Sequence, residues 1–201
     1  MALATETRYL TAAETAKLLR PALAAAFPGV KFSVRSSTYS MGASISVSWT
    51  DGPRSWAVEK VARRFEGSDF DGSIDLKSGR QHWLTPDGKV GLAHATGTEG
   101  SMGYIPETFG DPIGPEVQLV SLGADSVGCN RHVTDFEGNV FAALVWIRNN
   151  CALTGDYPNE RYGEKWISDI ARSMAWSWPD PAYEQETMEE TFDRAYYNRR
   201  E

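Results

Sequence analysis

Carboxylates, thiols and imidazoles do most protein chemistry, and this chain of 201 residues gathers them at few places. Asp69, Asp71 and Asp75 flank Gly72. Carboxylates collected at a strand end can hold magnesium and support metal-assisted hydrolysis. They do not fit a calcium-binding loop. With Gly72 at the sixth position, Gly67 stands where the first carboxylate belongs and Ser78 where the last belongs. Turn chemistry accounts for the same three aspartates. Cys129 and His132 form one Cys-x-x-His pair. A structural zinc site needs four ligands, so Cys151, His82 and His94 would have to be brought in by folding. A nucleophilic Cys129–His132 pair would need a third, orienting group, which the sequence does not identify. A buried cysteine beside a polar turn is the plain alternative. Gly97, Gly100 and Gly103 are followed by no Gly-Lys-Ser/Thr, which excludes a phosphate loop. No catalytic residue, metal ligand or cofactor is assigned on these grounds.

Binding chemistry is better represented. The first 66 residues carry nine Lys/Arg against five Asp/Glu, net +4; the remainder carries eleven against twenty-two, net −11. Lys31, Arg35, Arg54, Lys60, Arg63 and Arg64 fall in the basic part. Basic side chains beside a strand of serines can neutralise phosphates and hydrogen-bond their oxygens. Tyr39, close by, can stack on a base. These seven residues are the candidate nucleic-acid or partner-binding set. The competing reading is that Lys60, Arg63 and Arg64 simply cover the wet side of a helix. The acidic stretch Asp180, Glu184, Glu186, Glu189, Glu190 and Asp193 suits a basic protein surface. It reads equally as the solvated side of a helix docked through Tyr183, Phe192 and Tyr196.

The elements that must carry these groups follow from capping and periodicity. Thr11-Ala12-Ala13-Glu14 is a capping box opening a helix that Pro28-Gly29 stops, with Pro21 expected to kink or divide it. Phe32 and Val34, then Ile45, Val47 and Trp49, alternate with polar residues, which predicts an antiparallel pair with one buried face. The connection Ser37–Gly42 is expected to be too long for a two-residue turn, and mobile. Asp51-Gly52-Pro53 opens a second helix with Ala57, Val58, Val61 and Phe65 buried and Arg54, Lys60, Arg63 and Arg64 on the surface; Gly67 ends it. Strands are predicted with Ile74 and Leu76 inward, at His82–Leu84, at Lys89–Ala93 and at Val117–Leu122. Gly97–Pro115 reads as loop. Helices are predicted over Val140–Ile147, where the apolar run reads equally as a strand, and over Asn159–Trp178 and Tyr183 to about Asn198. Pro179 and Pro181 break between the last two, and Arg199-Arg200 suit a helix C-terminus.

The blocks Phe27–Ser36 and Ser44–Pro53 resemble the large polyvalent protein-associated domain of the twenty-ninth type. Val58–Val61, Phe65–Gly67, Phe70–Gly72, Ile74–Leu76, Gly123–Val127 and Asn130–His132 extend the similarity over about Thr11 to Thr134. The resemblance implies an origin in phages, plasmids or other mobile elements. It also implies a role in establishing incoming DNA, including counter-defence, and it brings no catalytic residues with it. The expected fold is α+β: an antiparallel sheet with two N-terminal helices on one face and a helical C-terminal extension. Residues 1–135 form the α+β domain, and 136–201 the extension, packed on the same core. That core should include Leu19, Phe32, Val34, Ile45, Val47, Trp49, Val61, Phe65, Ile74 and Leu76. At 41% apolar residues a substantial core is expected. There is no apolar run of about 20 residues to span a membrane, and the N-terminus lacks a secretory pattern. Two cysteines suit a reducing, cytoplasmic compartment. The expected function is a mobile-element accessory protein that acts by binding a host defence protein or nucleic acid, with counter-defence inhibition of a host defence complex as its preferred form. The alternative is a nucleic-acid-binding or metal-dependent nucleic-acid-processing protein.

Overall fold

The computed structural model describes residues 7–95, 116–153, 160–178, 183 and 186–197, with side chains to residue 93 in the first segment. The expectations for Gly97–Pro115, the His94 side chain, Asn159, Pro179, Asp180, Pro181, Glu184 and Arg199-Arg200 lie outside these residues. The fold is α+β, and the chain divides into two compact units. One comprises residues 1–49 and 57–130; the other comprises 50–56 and 131–201.

In the first unit β1 (Arg8–Thr11) runs into α1 (Ala12–Ala26) through the capping box the sequence announces. The Glu14 amide donates to Thr11 Oγ1 at 3.3 Å, and the Thr11 amide donates back to Glu14 Oε2 at 2.8 Å. Leu19 and Leu23 on this helix are fully buried, and the helix packs on β1 and on two later strands. Pro21 neither ends nor divides it. Both Pro21 and Lys17 are exposed, so the carbonyl that loses its amide partner faces water.

The hairpin β2 (Ser33–Tyr39) and β3 (Gly42–Thr50) pairs Val34 with Val47 and Tyr39 with Gly42. Ile45, Val47 and Trp49 are at most 2% exposed, so the period-two pattern sets the buried face as expected. The expected long connection is absent. Both strands extend until only Ser40 and Met41 remain between them, and Met41 takes a left-handed backbone (φ 66°) to close the turn.

The second helix, α2 (Ser55–Ala62), begins two residues after Pro53 and continues as a 3-10 turn over Arg63–Phe65. Gly67 follows Glu66, the cap that closes this turn. Its amide bonds to the Ala124 carbonyl at 2.7 Å, and a Cβ there would collide with the Leu122 carbonyl. β4 (Ser68–Asp71) and β5 (Leu76–Leu84) form a second hairpin. Ile74 and Leu76 are not core residues; they are 45% and 42% exposed. Asp75 adopts φ 51°, so the Ile-Asp-Leu alternation that reads as strand is a turn running into a strand.

β6 (Val90–Ala95) and β7 (Gln118–Gly123) flank β5 antiparallel, and β1 joins β7 in parallel. The result is a mixed five-stranded sheet in which β1-β7-β5-β4 are neighbours and β6 adds to β5. β8 (Ser126–His132) completes a three-stranded sheet in the order β2-β3-β8.

The second unit is mostly helical: α3 (Phe136–Asn150), the short pair β9 (Arg161–Tyr162) and β10 (Lys165–Trp166), α4 (Ile167–Trp176) and α5 (Met188–Tyr197). Its core joins Ala143, Ile147, Ile170, Met174 and Phe192. The helix expected from Asn159 starts only at Ile167, because the chain first turns back through Gly163 (φ 59°).

Candidate functional site

The β2-β3-β8 sheet buries one face and leaves the other wet. Along β2 the outward positions are Ser33, Arg35, Ser37 and Tyr39, and the exposed Lys31 precedes them at the same spacing. Across from Ser33, Arg35 and Ser37 stand Ser48, Ser46 and Ser44. On β8 the exposed positions include Ser126, Gly128 and Asn130. A Cβ at Gly128 would meet nothing, so this part of the face is open. No carboxylate occupies any of these outward positions in a chain of net charge −7. Arg35 and Lys31 make no ion pair among the described residues, and Arg35 is neighboured on this face by Ser33, Ser37 and Ser46, whose hydroxyls can donate and accept. Hydroxyls around a fixed positive charge suit the oxygens of a phosphodiester.

At the turn end of the hairpin, the Tyr39 ring lies across Gly42. A Cβ on Gly42 would collide with Asp125 Oδ2 and come within 2.7 Å of Tyr39 Cε2 and 3.0 Å of Cζ, so the Asp125 carboxylate reaches this end of the face. Tyr39 is 52% exposed, and Met41 beside it is 96% exposed.

The remaining expected binders are scattered. Lys60, Arg63 and Arg64 are exposed, with Arg63 bonded to Glu59 one helical turn away at 3.0 Å. Arg54 is not on the surface, as its position before a helix suggested. It is 2% exposed, ion-paired with Glu186, and donates to Thr191 Oγ1 at 3.1 Å. Glu186 also receives Arg194 at 2.9 Å. The acid therefore anchors a buried charge instead of facing a partner.

The aspartates form no metal cluster, and none is found among the described residues. Asp69 is bonded by the guanidinium of Arg80. Asp71 accepts from the Ser73 amide at 2.9 Å and its hydroxyl at 2.6 Å, and Asp75 occupies the strained turn position. Cys129 and His132 lie three residues apart on one strand and so point to opposite faces; His132 is exposed. Burial, with Glu59 adding to it, pushes the Cys129 thiol up to about 12. A thiol so held stays protonated at neutral pH and is a poor nucleophile. Cys151 is likewise raised by burial, and neither cysteine forms a disulfide.

Sequence reasoning missed a polar network alongside the sheet. Glu66 accepts the Val127 amide at 3.1 Å and faces Arg80 at 3.8 Å; burial raises its carboxyl above the usual range. Asp125 accepts the Ala43 amide at 3.2 Å and pairs with Lys77. These contacts tie β8 and β3 to the second hairpin and leave Glu66 and Asp125 internally paired. The Glu66–Val127 and Asp125–Ala43 contacts join residues 61 and 82 positions apart, and no local pattern announces them.

Among known families, the model described as Large polyvalent protein associated domain 29 matches residues 10–134. No curated protein and no solved structure matches the chain. No helix among the described residues is long and apolar enough to cross a membrane.

Proposed function

The chain belongs to the Large polyvalent protein associated domain 29 family, whose setting is the polyvalent proteins of phages and mobile elements, and from that premise we propose that it is an accessory protein acting by binding. The contact best supported is with a nucleic-acid backbone. One observation carries this reading: a sheet face whose serine-lined shaft presents Arg35, which makes no ion pair among the described residues, in an acidic chain. The test is a salt titration of binding to mixed-sequence nucleic acid by fluorescence anisotropy. Affinity should fall steeply with salt, and Arg35→Glu should abolish it. Binding that ignores salt, or none at low salt, ends this reading.

A second reading rests on the β4–β5 turn. Phe70, Ile74 and Leu76 are 67%, 45% and 42% exposed beside Asp71 and Asp75, and the Asp71–Ser73 bonds hold the turn in shape. An ordered apolar tip edged with acid suits an apolar pocket rimmed by basic groups on a host defence protein. The purpose served would be counter-defence. Phe70→Ser should then remove protection of an incoming element in a transformation assay and leave nucleic-acid binding intact. Unchanged protection excludes this surface.

A further inference from the structure

We infer that the outer face of the β2-β3 hairpin takes an extended single strand of nucleic acid, its phosphates along the shaft and one base on Tyr39. The inference rests on the nucleic-acid reading above and narrows it.

Three features of the hairpin select a single strand over a duplex. Outward residues on β2 recur at every second position, about 6.8 Å apart. That spacing is close to the phosphate repeat of a stretched nucleotide chain. Lys31, Ser33, Arg35 and Ser37 therefore lie at successive phosphate positions, with Ser44, Ser46 and Ser48 reaching the same oxygens from β3. The face also belongs to a sheet of three strands, order β2-β3-β8. Paired to β8 on its β3 side, the hairpin does not stand free as a two-stranded ribbon of the kind that enters a duplex groove. Finally, the hairpin end offers apolar contact where the shaft offers charge and hydroxyls. Gly42 lets the Tyr39 ring lie flat, its exposed side faces water, and Met41 stands beside it. Only an unpaired base has a π-face available to such a ring, whereas in a duplex that face is already stacked. The carboxylate nearest this end, Asp125, is paired with Lys77 and the Ala43 amide, so it is partly neutralised.

The experiment uses the full chain with oligo(dT) of about twelve nucleotides, oligo(rU) of equal length and a mixed-sequence duplex of equal length, read by anisotropy at several salt concentrations. Either single strand should bind about tenfold or more tightly than the duplex; the tighter of the two identifies the sugar. Tyr39→Ala should weaken single-strand binding about tenfold, and Tyr39→Phe should keep it. Arg35→Ala should lower the slope of log affinity against log salt by about 0.7. Circular dichroism of each variant confirms that the hairpin still folds. Duplex binding equal to or tighter than single-strand binding overturns the inference and leaves the broader reading in place. So does an unchanged affinity in a folded Tyr39→Ala. If none of the three probes binds at low salt, both fall together.

Discussion

His82 sits on β5 with 1% of its surface exposed, and its Nδ1 has no hydrogen-bond partner among the described residues. A hydrogen bond between the ring and the Arg64 backbone ties the 3-10 turn to the sheet. Burial first, and the Arg80 charge second, lower its pKa to about 4, against an ordinary 6.5. Between those values the unfolded chain binds a proton that the folded chain refuses. The stability linked to His82 is therefore complete above pH 6.5 and drains away as pH falls toward 4. From pH 7 to pH 5 the loss from this group is about 2 kcal/mol. Glu66 works in the opposite sense. Its raised carboxyl favours the folded state at low pH and withdraws that help as pH climbs past 4.5. Urea midpoints at pH 7 and pH 5 should thus fall with acidification, and His82→Phe, which keeps the volume without the base, should show a smaller fall. An equal fall in both proteins would assign the acid sensitivity elsewhere.

Among the elements, those set by neighbours in sequence were the legible ones. The Thr11–Glu14 capping box and the alternation in Ile45, Val47 and Trp49 each depend on residues within a few positions, and both stand as read. β1 and β8 were not legible. Arg8–Thr11 buries only Leu10, and Ser126–His132 fully buries only Val127, too few apolar positions to show a period. The hydroxyl face follows from the same alternation that marks the core, so Lys31, Arg35 and Tyr39 could be named in advance. The burial of Arg54 could not, since Glu186 lies 132 positions away. Pro21 misled because sequence shows the lost amide but not whether the orphaned carbonyl meets water. That carbonyl still lacks its helical bond, so Pro21→Ala should restore one and remove the ring clash. A net gain of about 1–2 kcal/mol in chemical denaturation is expected, after the looser unfolded chain takes back part of it. A loss of stability would mean that the proline ring itself packs usefully.

At the scale of the whole molecule, the family match and the compact units do not share a boundary. The match ends at residue 134, whereas the second unit takes residues 50–56 together with 131–201. A short piece from inside the matched region is thus a structural part of the C-terminal unit. Asp51 caps Thr134, its carboxylate accepting the amide at 2.9 Å and the hydroxyl at 2.6 Å. Arg131 donates to the Trp176 and Trp178 carbonyls at 3.3 and 3.2 Å. Arg54 enters the unit as its most buried charge, held by Glu186 and Thr191, and Arg194 lies over the Trp56 ring at 5.5 Å. Removing one member of a buried ion pair leaves the other uncompensated and costs about 3–5 kcal/mol. Arg194 still faces Glu186, so Arg54→Met should cost about 3 kcal/mol, toward the lower end. All these partners belong to the second unit, so the loss should appear there first. In native-state hydrogen exchange, Arg54→Met should speed exchange across 50–56 and α5 while amides of β2 and β3 keep their protection. If protection instead fell equally along the whole chain, the two units would be melting as one, and Arg54 would anchor the entire fold.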